Sequence, residues 1–283
     1  LRSEPMIGFH VSIGKSLDLV FERAAALGCN TLQMFTRNPR GWSFKPLTDG
    51  QVESFREKRK KSGFRYVTDH MPYLPNLASP DRAVMKKSRE ALEEEVRRCD
   101  ALGIDYLVVH LGSHMGKGTM VGVRNVAEAC GHALSKSGGK TTILLENMAG
   151  QKNSVGSRFE ELRMIIDIAG GDRLGVCLDT CHLLAAGFDI SSQDGVKDTV
   201  KLFDSTVGMK ALRIVHLNDS KGELGSGLDR HENLGKGKIG RSGMKAFLSA
   251  PGILERPIIL ETPYRDDRTL REDLKTVRGL INT

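Results

Sequence analysis

Six ionisable residues close six short apolar runs in this sequence: His70, His110, Glu146, Asp179, His216 and Glu261. Successive members are 40, 36, 33, 37 and 45 residues apart, which is one strand-plus-helix unit per step. A lone histidine after an apolar run is more often a hydrogen-bonded core residue than a ligand. Three imidazoles and three carboxylates meeting at one rim are different, because desolvation and mutual repulsion would be costly without a counter-charge. Bound divalent cations remove that cost. Mixed His/Asp/Glu ligation suits zinc, manganese or iron, and the lack of thiolates excludes a structural Cys-type zinc site. Two further clusters extend the set. Asp179-Thr-Cys-His182 puts an imidazole three residues beyond a strand-end carboxylate. Asp229-Arg-His231 puts a carboxylate and an imidazole on one side of an extended segment. The nine groups are too many for one metal and natural for three that share carboxylates. Of the other histidines, His10 and His114 suit supporting positions beside the ligands. His132 falls in a helical pattern and reads as structural.

The elements that must position these groups are legible as periodicity. Eight apolar runs recur: Met6–Val11, Thr31–Phe35, Arg65–Thr68, Tyr106–Val109, Thr142–Leu145, Leu174–Leu178, Leu212–Val215 and Pro257–Leu260. Nearly all lack polar alternation, as strands buried on both faces do. Helical patterns lie between them, plainest at Leu17–Leu27 and Asp81–Leu102, with Gly28 and Gly103 as C-terminal caps. Within the second, Glu93, Glu94, Arg97 and Arg98 read as an exposed face of ion pairs. Eight βα units that close on themselves make an α/β protein of the (β/α)₈ TIM-barrel class, with catalytic groups at the C-terminal mouth. An open doubly wound sheet is the alternative, but the first turn, His10-Val-Ser-Ile-Gly14, has no G-x-G-x-x-G. No linker or repeat interrupts the chain, so residues 1–283 read as a single domain.

Composition narrows the class. Apolar residues make up 39% and charged residues 27%, which excludes disordered and collagen-like chains. No apolar run approaches the ~18 residues that cross a bilayer, so no membrane association is expected. The start, Leu1-Arg2-Ser3-Glu4-Pro5, has no apolar signal core and no initiating Met, which reads as a trimmed N-terminus. The net charge of +7 suits a phosphate-backbone partner, or simply a solvated surface rich in lysine. Five widely spaced cysteines without a C-x-x-C point to a reducing, intracellular setting. That would be the cytoplasm in a bacterium, archaeon or virus and the nucleus in a eukaryote.

From about Ile7 to Glu261 the chain resembles endonuclease IV, the family of zinc-dependent apurinic/apyrimidinic endonucleases of base-excision repair. The segments that carry the likeness are Gly8-Phe-His-Val-Ser12, Leu145-Glu-Asn-Met-Ala-Gly-Gln151, Gly175-Val-Cys-Leu-Asp-Thr-Cys-His182 with Ala185-Ala-Gly-Phe-Asp189, and His216-Leu-Asn-Asp-Ser220 followed by Asp229-Arg-His231. The resemblance implies three zinc ions, with manganese an alternative at some sites. His70, His110 and Glu146 would hold one. Glu146, Asp179, His216 and Glu261 would hold the second, and His182, Asp229 and His231 the third. It also implies Arg40, Tyr73 and Leu74 as side chains that enter duplex DNA at the lesion. Pro39 and Gly41 flank Arg40 in its loop.

The implied reaction is hydrolysis of the phosphodiester 5′ to an abasic site, giving 3′-hydroxyl and 5′-deoxyribose phosphate ends. The same site would clear 3′-blocked ends, and the chain would act as a monomer. Such hydrolysis needs an activated water, neutralised phosphate oxygens and a stabilised leaving oxygen. Glu146 suits a shared carboxylate and Glu261 an orienting group or base for water. An abasic nucleotide lacks one base's stacking, so extruding it is cheap and apolar side chains can fill the gap. Gly235-Lys-Gly-Lys-Ile-Gly-Arg-Ser242 nearly spells a P-loop but follows a polar segment, so it reads as a flexible basic loop near DNA phosphates. Two rivals share parts of this pattern. A metal-dependent sugar isomerase or epimerase needs only one or two metals and no DNA loops. A non-catalytic DNA-binding barrel would show gaps in the ligand set.

Overall fold

Neighbouring side chains of a strand point to opposite faces, so a run buried on both sides serves two cores at once. In the computed structural model, which describes residues 4–14 and 16–282, the expected runs do so. The N-terminal reading of Leu1, Arg2 and Ser3 lies outside the described residues. Eight strands are parallel: β1 (Ile7–Val11), β2 (Leu32–Met34), β3 (Val67–His70), β4 (Tyr106–Val109), β5 (Thr142–Glu146), β6 (Leu174–Asp179), β7 (Leu212–His216) and β10 (Ile258–Leu260). They close into a barrel in the order β1-β10-β7-β6-β5-β4-β3-β2, which decides against the open sheet. Two short strands, β8 (Asp219–Ser220) and β9 (His231–Glu232), pair antiparallel outside the barrel.

The alternation explains the rim. Val108, Leu144, Cys177, Ile214 and Ile259 pack with one another as a small inner cluster. Their strand neighbours Leu107, Ile143, Val176, Val215 and Ile258 join the larger core between sheet and helices. Two residues beyond each inner member, on the same face, come His110, Glu146, Asp179, His216 and Glu261. The inner apolar layer therefore floors the cluster of ionisable groups.

The helices are α1 (Val20–Ala26), α2 (Asp49–Ser62), α3 (Arg82–Leu102), α4 (Thr119–Lys136), α5 (Phe159–Ala169), α6 (Thr180–Ala185), α7 (Gln193–Thr206), α8 (Gly240–Ser249) and α9 (Asp267–Asn282). The expected helix at Leu17–Leu27 is a 3₁₀ turn over Leu17–Leu19 that runs into α1. Gly103 caps α3 at φ 74°, where a side chain would be strained. Among the described residues, no helix is long and apolar enough to cross a membrane.

One expectation needs correction. The charged face of α3 is only partly exposed, because Glu94 and Arg98 are buried. The segment after β2 folds over this part of the helix. Arg98 Nε donates to Thr36 Oγ1 at 3.0 Å and Nη1 to the Lys45 carbonyl at 3.2 Å. Glu95, one position away and fully buried, accepts from Thr36 Oγ1 at 2.8 Å and pairs with the Arg37 guanidinium. A helix face rich in charge thus anchors the loop that carries Arg40.

Candidate metal centre

The structure gathers the nine sequence-selected side chains into three groups. His70, His110 and Glu146 form one, Glu146, Asp179, His216 and Glu261 the second, and His182, Asp229 and His231 the third. Within each group, one donor atom per residue lies within 4.8 Å of the others. Glu146 belongs to two groups. Its Oε2 is 3.3 Å from His70 Nε2 and 3.0 Å from His110 Nε2, while Oε1 is 3.0 Å from His216 Nδ1. His216 Nδ1 is also 3.3 Å from Glu261 Oε2. In the third group His182 Nε2 is 3.1 Å and His231 Nε2 3.8 Å from Asp229 Oδ1.

Local structure sets these positions. Asp179 ends β6 and caps α6, its Oδ1 accepting the His182 N–H at 2.8 Å. The three-residue step from Asp179 to His182 is therefore one turn of helix, opened by the ligand-type carboxylate itself. The pairing of β8 with β9 returns the chain so that Asp229 and His231 face α6.

Most of the imidazoles are held from behind. The far nitrogens of His70, His182 and His231 meet backbone carbonyls of Met71 at 2.8 Å, Asn147 at 2.9 Å and Glu261 at 3.0 Å. A carbonyl can only accept, so Nδ1 carries a proton in each and Nε2 is left as the nitrogen that would ligate a metal. Asn218 donates to Asp179 Oδ2 at 2.6 Å and accepts the Glu261 N–H at 2.8 Å. Asn147 accepts the Asp179 N–H at 2.7 Å. Sequence reasoning passes over both asparagines, although each lies one or two residues past a selected strand-end residue.

The electrostatics call for cations. Burial disfavours charge on His110 and His182, yet the facing carboxylates outweigh it and raise both, His182 to about 10. His216 is raised against burial as well, by Cys177 together with Glu261 and Glu146. Burial likewise favours neutral Glu146 and Glu261, but the imidazoles around them hold both well below the usual carboxylate range. The carboxylates therefore favour positive charge at the middle of the cluster. His182 Nε2 and His231 Nε2 are buried with no well-aligned hydrogen bond, facing Asp229 Oδ1 at 3.1 and 3.8 Å. The donor set thus fits metal binding. Cys177 and Cys181 lie beside it, but burial pushes both thiols up to about 12, so neither offers a thiolate at neutral pH.

The centre opens into a cleft of about 1140 Å³ whose lining includes His110, His182, Asp229, Glu261, Arg40 and Tyr73. Tyr73 and Leu74 are 63% and 42% exposed, values at odds with core packing for side chains of this size. The Tyr73 ring stands 5.5 Å from Phe35, 6.2 Å from His70 and 6.4 Å from His110. Leu74 is not part of the cleft lining, and Arg40 is exposed. Of the remaining histidines, His10 joins the cleft, whereas His114 accepts the Gly118 N–H within its own loop. His132 is on α4, 3.1 Å from Glu93.

The P-loop-like segment is not a loose loop. The buried Asp219 carboxylate accepts the backbone N–H groups of Gly235, Gly237 and Ile239 at 2.9, 2.9 and 3.0 Å. A Cβ on Gly237 would lie 2.5 Å from Asp219 Oδ1, so only glycine lets the backbone wrap this closely.

The fold and this site together define a xylose isomerase-like TIM barrel, and that family's model matches residues 21–280. A protein of Methanoculleus marisnigri named probable endonuclease 4 is 46% identical over 277 residues, covering 97% of this chain and 98% of that one. The crystal structure of endonuclease IV from Thermus thermophilus, 36% identical, superposes with a TM-score of 0.88 over 98% of this chain and 99% of that one. This chain belongs to the endonuclease IV family. A D-tagatose 3-epimerase-like protein also superposes, with a TM-score of 0.72 at 21% identity over 97% of this chain and 98% of its own. That likeness reflects the shared barrel alone.

Proposed function

We propose that this chain is a metal-dependent DNA-repair endonuclease that hydrolyses the phosphodiester 5′ to an abasic site in duplex DNA. The products are a 3′-hydroxyl and a 5′-deoxyribose phosphate, and 3′-blocked ends are cleared at the same centre. The observation that carries this reading is the third group, His182, Asp229 and His231, beside the two that share Glu146. A one- or two-metal sugar isomerase has no use for it, and a non-catalytic binder needs none of the three.

The three groups would hold three zinc ions, with manganese an alternative at some of them. Bound there, the ions would supply Lewis acidity toward phosphate oxygens and lower the pKa of water. The chain's own residues do the rest. Glu146 and Glu261 act as catalytic carboxylates, the first shared between two groups and the second placed to orient or deprotonate the attacking water. The carbonyl-held imidazoles keep their lone pairs fixed, so no reorganisation is needed when substrate arrives. Arg40, Tyr73 and Leu74 contact DNA and fill the gap left by the extruded nucleotide. Burial, with Glu261, Glu146 and Asp229 nearby, pushes the Tyr73 hydroxyl up to about 12. Residues 1–283 work as one domain and as a monomer. The five free, buried cysteines support an intracellular setting.

The test is a duplex with a single abasic analogue, incubated with the protein with and without chelator. Scission 5′ to the lesion that chelator abolishes is the expected result. Intact duplex in the presence of metal would overturn the reading, and binding without scission would favour the non-catalytic barrel.

A further inference from the structure

Gln33 is a fully buried polar residue in the middle of β2, in parallel register with His10 of β1 and Thr68 of β3. Its run, Thr31–Phe35, ends in no ionisable group, and nothing in its composition marks it. In the structure its amide meets three side chains: His216 and Glu261 of the metal centre, and His10. Gln33 Oε1 is 2.8 Å from His216 Nε2, and Gln33 Nε2 is 3.0 Å from His10 Nδ1 and within hydrogen-bond reach of Glu261 Oε1.

The chemistry of these partners leaves one proton arrangement. An ionised Glu261 can only accept, so the NH₂ end of the amide must face it. The carbonyl end then faces His216, whose Nε2 must carry a proton. Its Nδ1 is thereby left as the ligand atom, and Nδ1 is the nitrogen 3.0 Å from Glu146 and 3.3 Å from Glu261. The other amide proton goes to His10 Nδ1, which places that ring's proton on Nε2. One neutral side chain so fixes the presentation of two metal-ligand candidates from opposite ends of a single planar group.

We propose that Gln33 is a positioning residue of the metal centre, whose amide commits His216 Nδ1 to the metal and holds Glu261 in place. This rests on the metal-centre reading above. His216 makes the point clearly. The other imidazoles held from behind lean on backbone carbonyls, which a substitution cannot remove, whereas His216 leans on a side chain that it can. Partners of this kind typically account for about 10–100-fold in metal affinity.

The test uses the full chain and two variants. Gln33→Met keeps length and removes all three hydrogen bonds. Gln33→Glu keeps an acceptor for His216 in either state, loses the second donor to His10, and can donate to Glu261 only while the introduced acid is protonated. Zinc affinity is read by competition with a chromophoric chelator, and ligand geometry by the visible bands of the cobalt-substituted protein. Gln33→Met is expected to weaken one of the bound zinc ions by about 10–100-fold and to alter the cobalt bands, with the melting of the metal-free protein little changed. Gln33→Glu is expected to approach wild-type zinc affinity at the acid end of the range and to fall away from it as pH rises. Wild-type affinity and bands in Gln33→Met would overturn the proposal. Should that variant not fold, a ratio of Gln33→Glu to wild type that is flat with pH would do so. Failure of the wild type itself to take up zinc or cobalt would instead overturn the metal-centre reading on which this rests.

Discussion

Asp229 Oδ1 lies 3.1 Å from His182 Nε2, joining the segment before β9 to the short helix α6. Neither residue is part of the barrel wall. The third group therefore hangs on two excursions from the rim, and Asp229 and His231 can be replaced without deleting any side chain of the groups built on strand ends. Asp229→Ala/His231→Ala is expected to lower the metal content of chelator-free protein from about three equivalents to about two. Elemental analysis checks this, and a wild-type value of one would end the trinuclear reading.

Glu261 is expected to matter more for turnover than for binding. Glu261→Gln keeps the shape but loses the charge that orients or deprotonates water, and a loss of about 10²–10⁴-fold is the range for such a group. Affinity for an abasic duplex should stay near that of the wild type. Single-turnover rates and a binding titration on the same preparation give the comparison. Normal turnover with full metal content would reduce Glu261 to a structural role.

Lesion recognition should be separable from chemistry. Tyr73 and Leu74 follow His70 by three and four residues, between Pro72 and Pro75, which fix φ and leave little entropy to lose on docking. Tyr73→Ala/Leu74→Ala is expected to cost roughly 1–3 kcal/mol of abasic-over-intact preference per lost stacking contact. Metal content and turnover of a small phosphodiester should hardly move. Affinities for the two duplexes at one salt concentration are the measurement, and full retention of preference would place recognition elsewhere.

The loop that carries Arg40 should depend on a buried charge, Glu95, that pairs with Arg37 of the cleft lining. Glu95 faces Arg37 and Thr36 from inside α3. Glu95→Gln leaves the Arg37 guanidinium without its counter-ion, a change that typically costs about 3–5 kcal/mol when one partner of a buried pair is lost. Denaturant unfolding should show the loss, and trypsin should cut faster at Arg40. An unchanged midpoint would show that the pair is energetically idle.

Much of this site is legible in the sequence because a barrel converts spacing into convergence. A residue at the end of each strand points into the mouth whatever the helix between, so His110, Glu146, Asp179 and His216 can be selected without knowing any distance. The same logic fails for Gln33, which is neutral, lies within an apolar run and acquires meaning only from His216 and Glu261 far along the chain. The burial of Glu94 and Arg98 escapes the sequence for a related reason. Helical spacing identifies a shared face but not what covers it, and here the cover is Thr36 and Lys45. The backs of the imidazoles are equally hidden, since a backbone carbonyl has no letter in the sequence.

The carboxylate of Asp219 occupies the seat that a nucleotide's phosphate takes in a chain of similar spelling. A phosphate arriving from solution would have to evict an anion that is tethered to the same backbone, and tethering of this sort corresponds to an effective concentration on the order of millimolar or above. Adding ATP should leave this loop as it is. The glycines around Lys236 and Lys238 thus serve as a self-sealed lock: they bend the backbone around an internal key, and the two lysines are displayed at the surface on a frame that nucleotide cannot open.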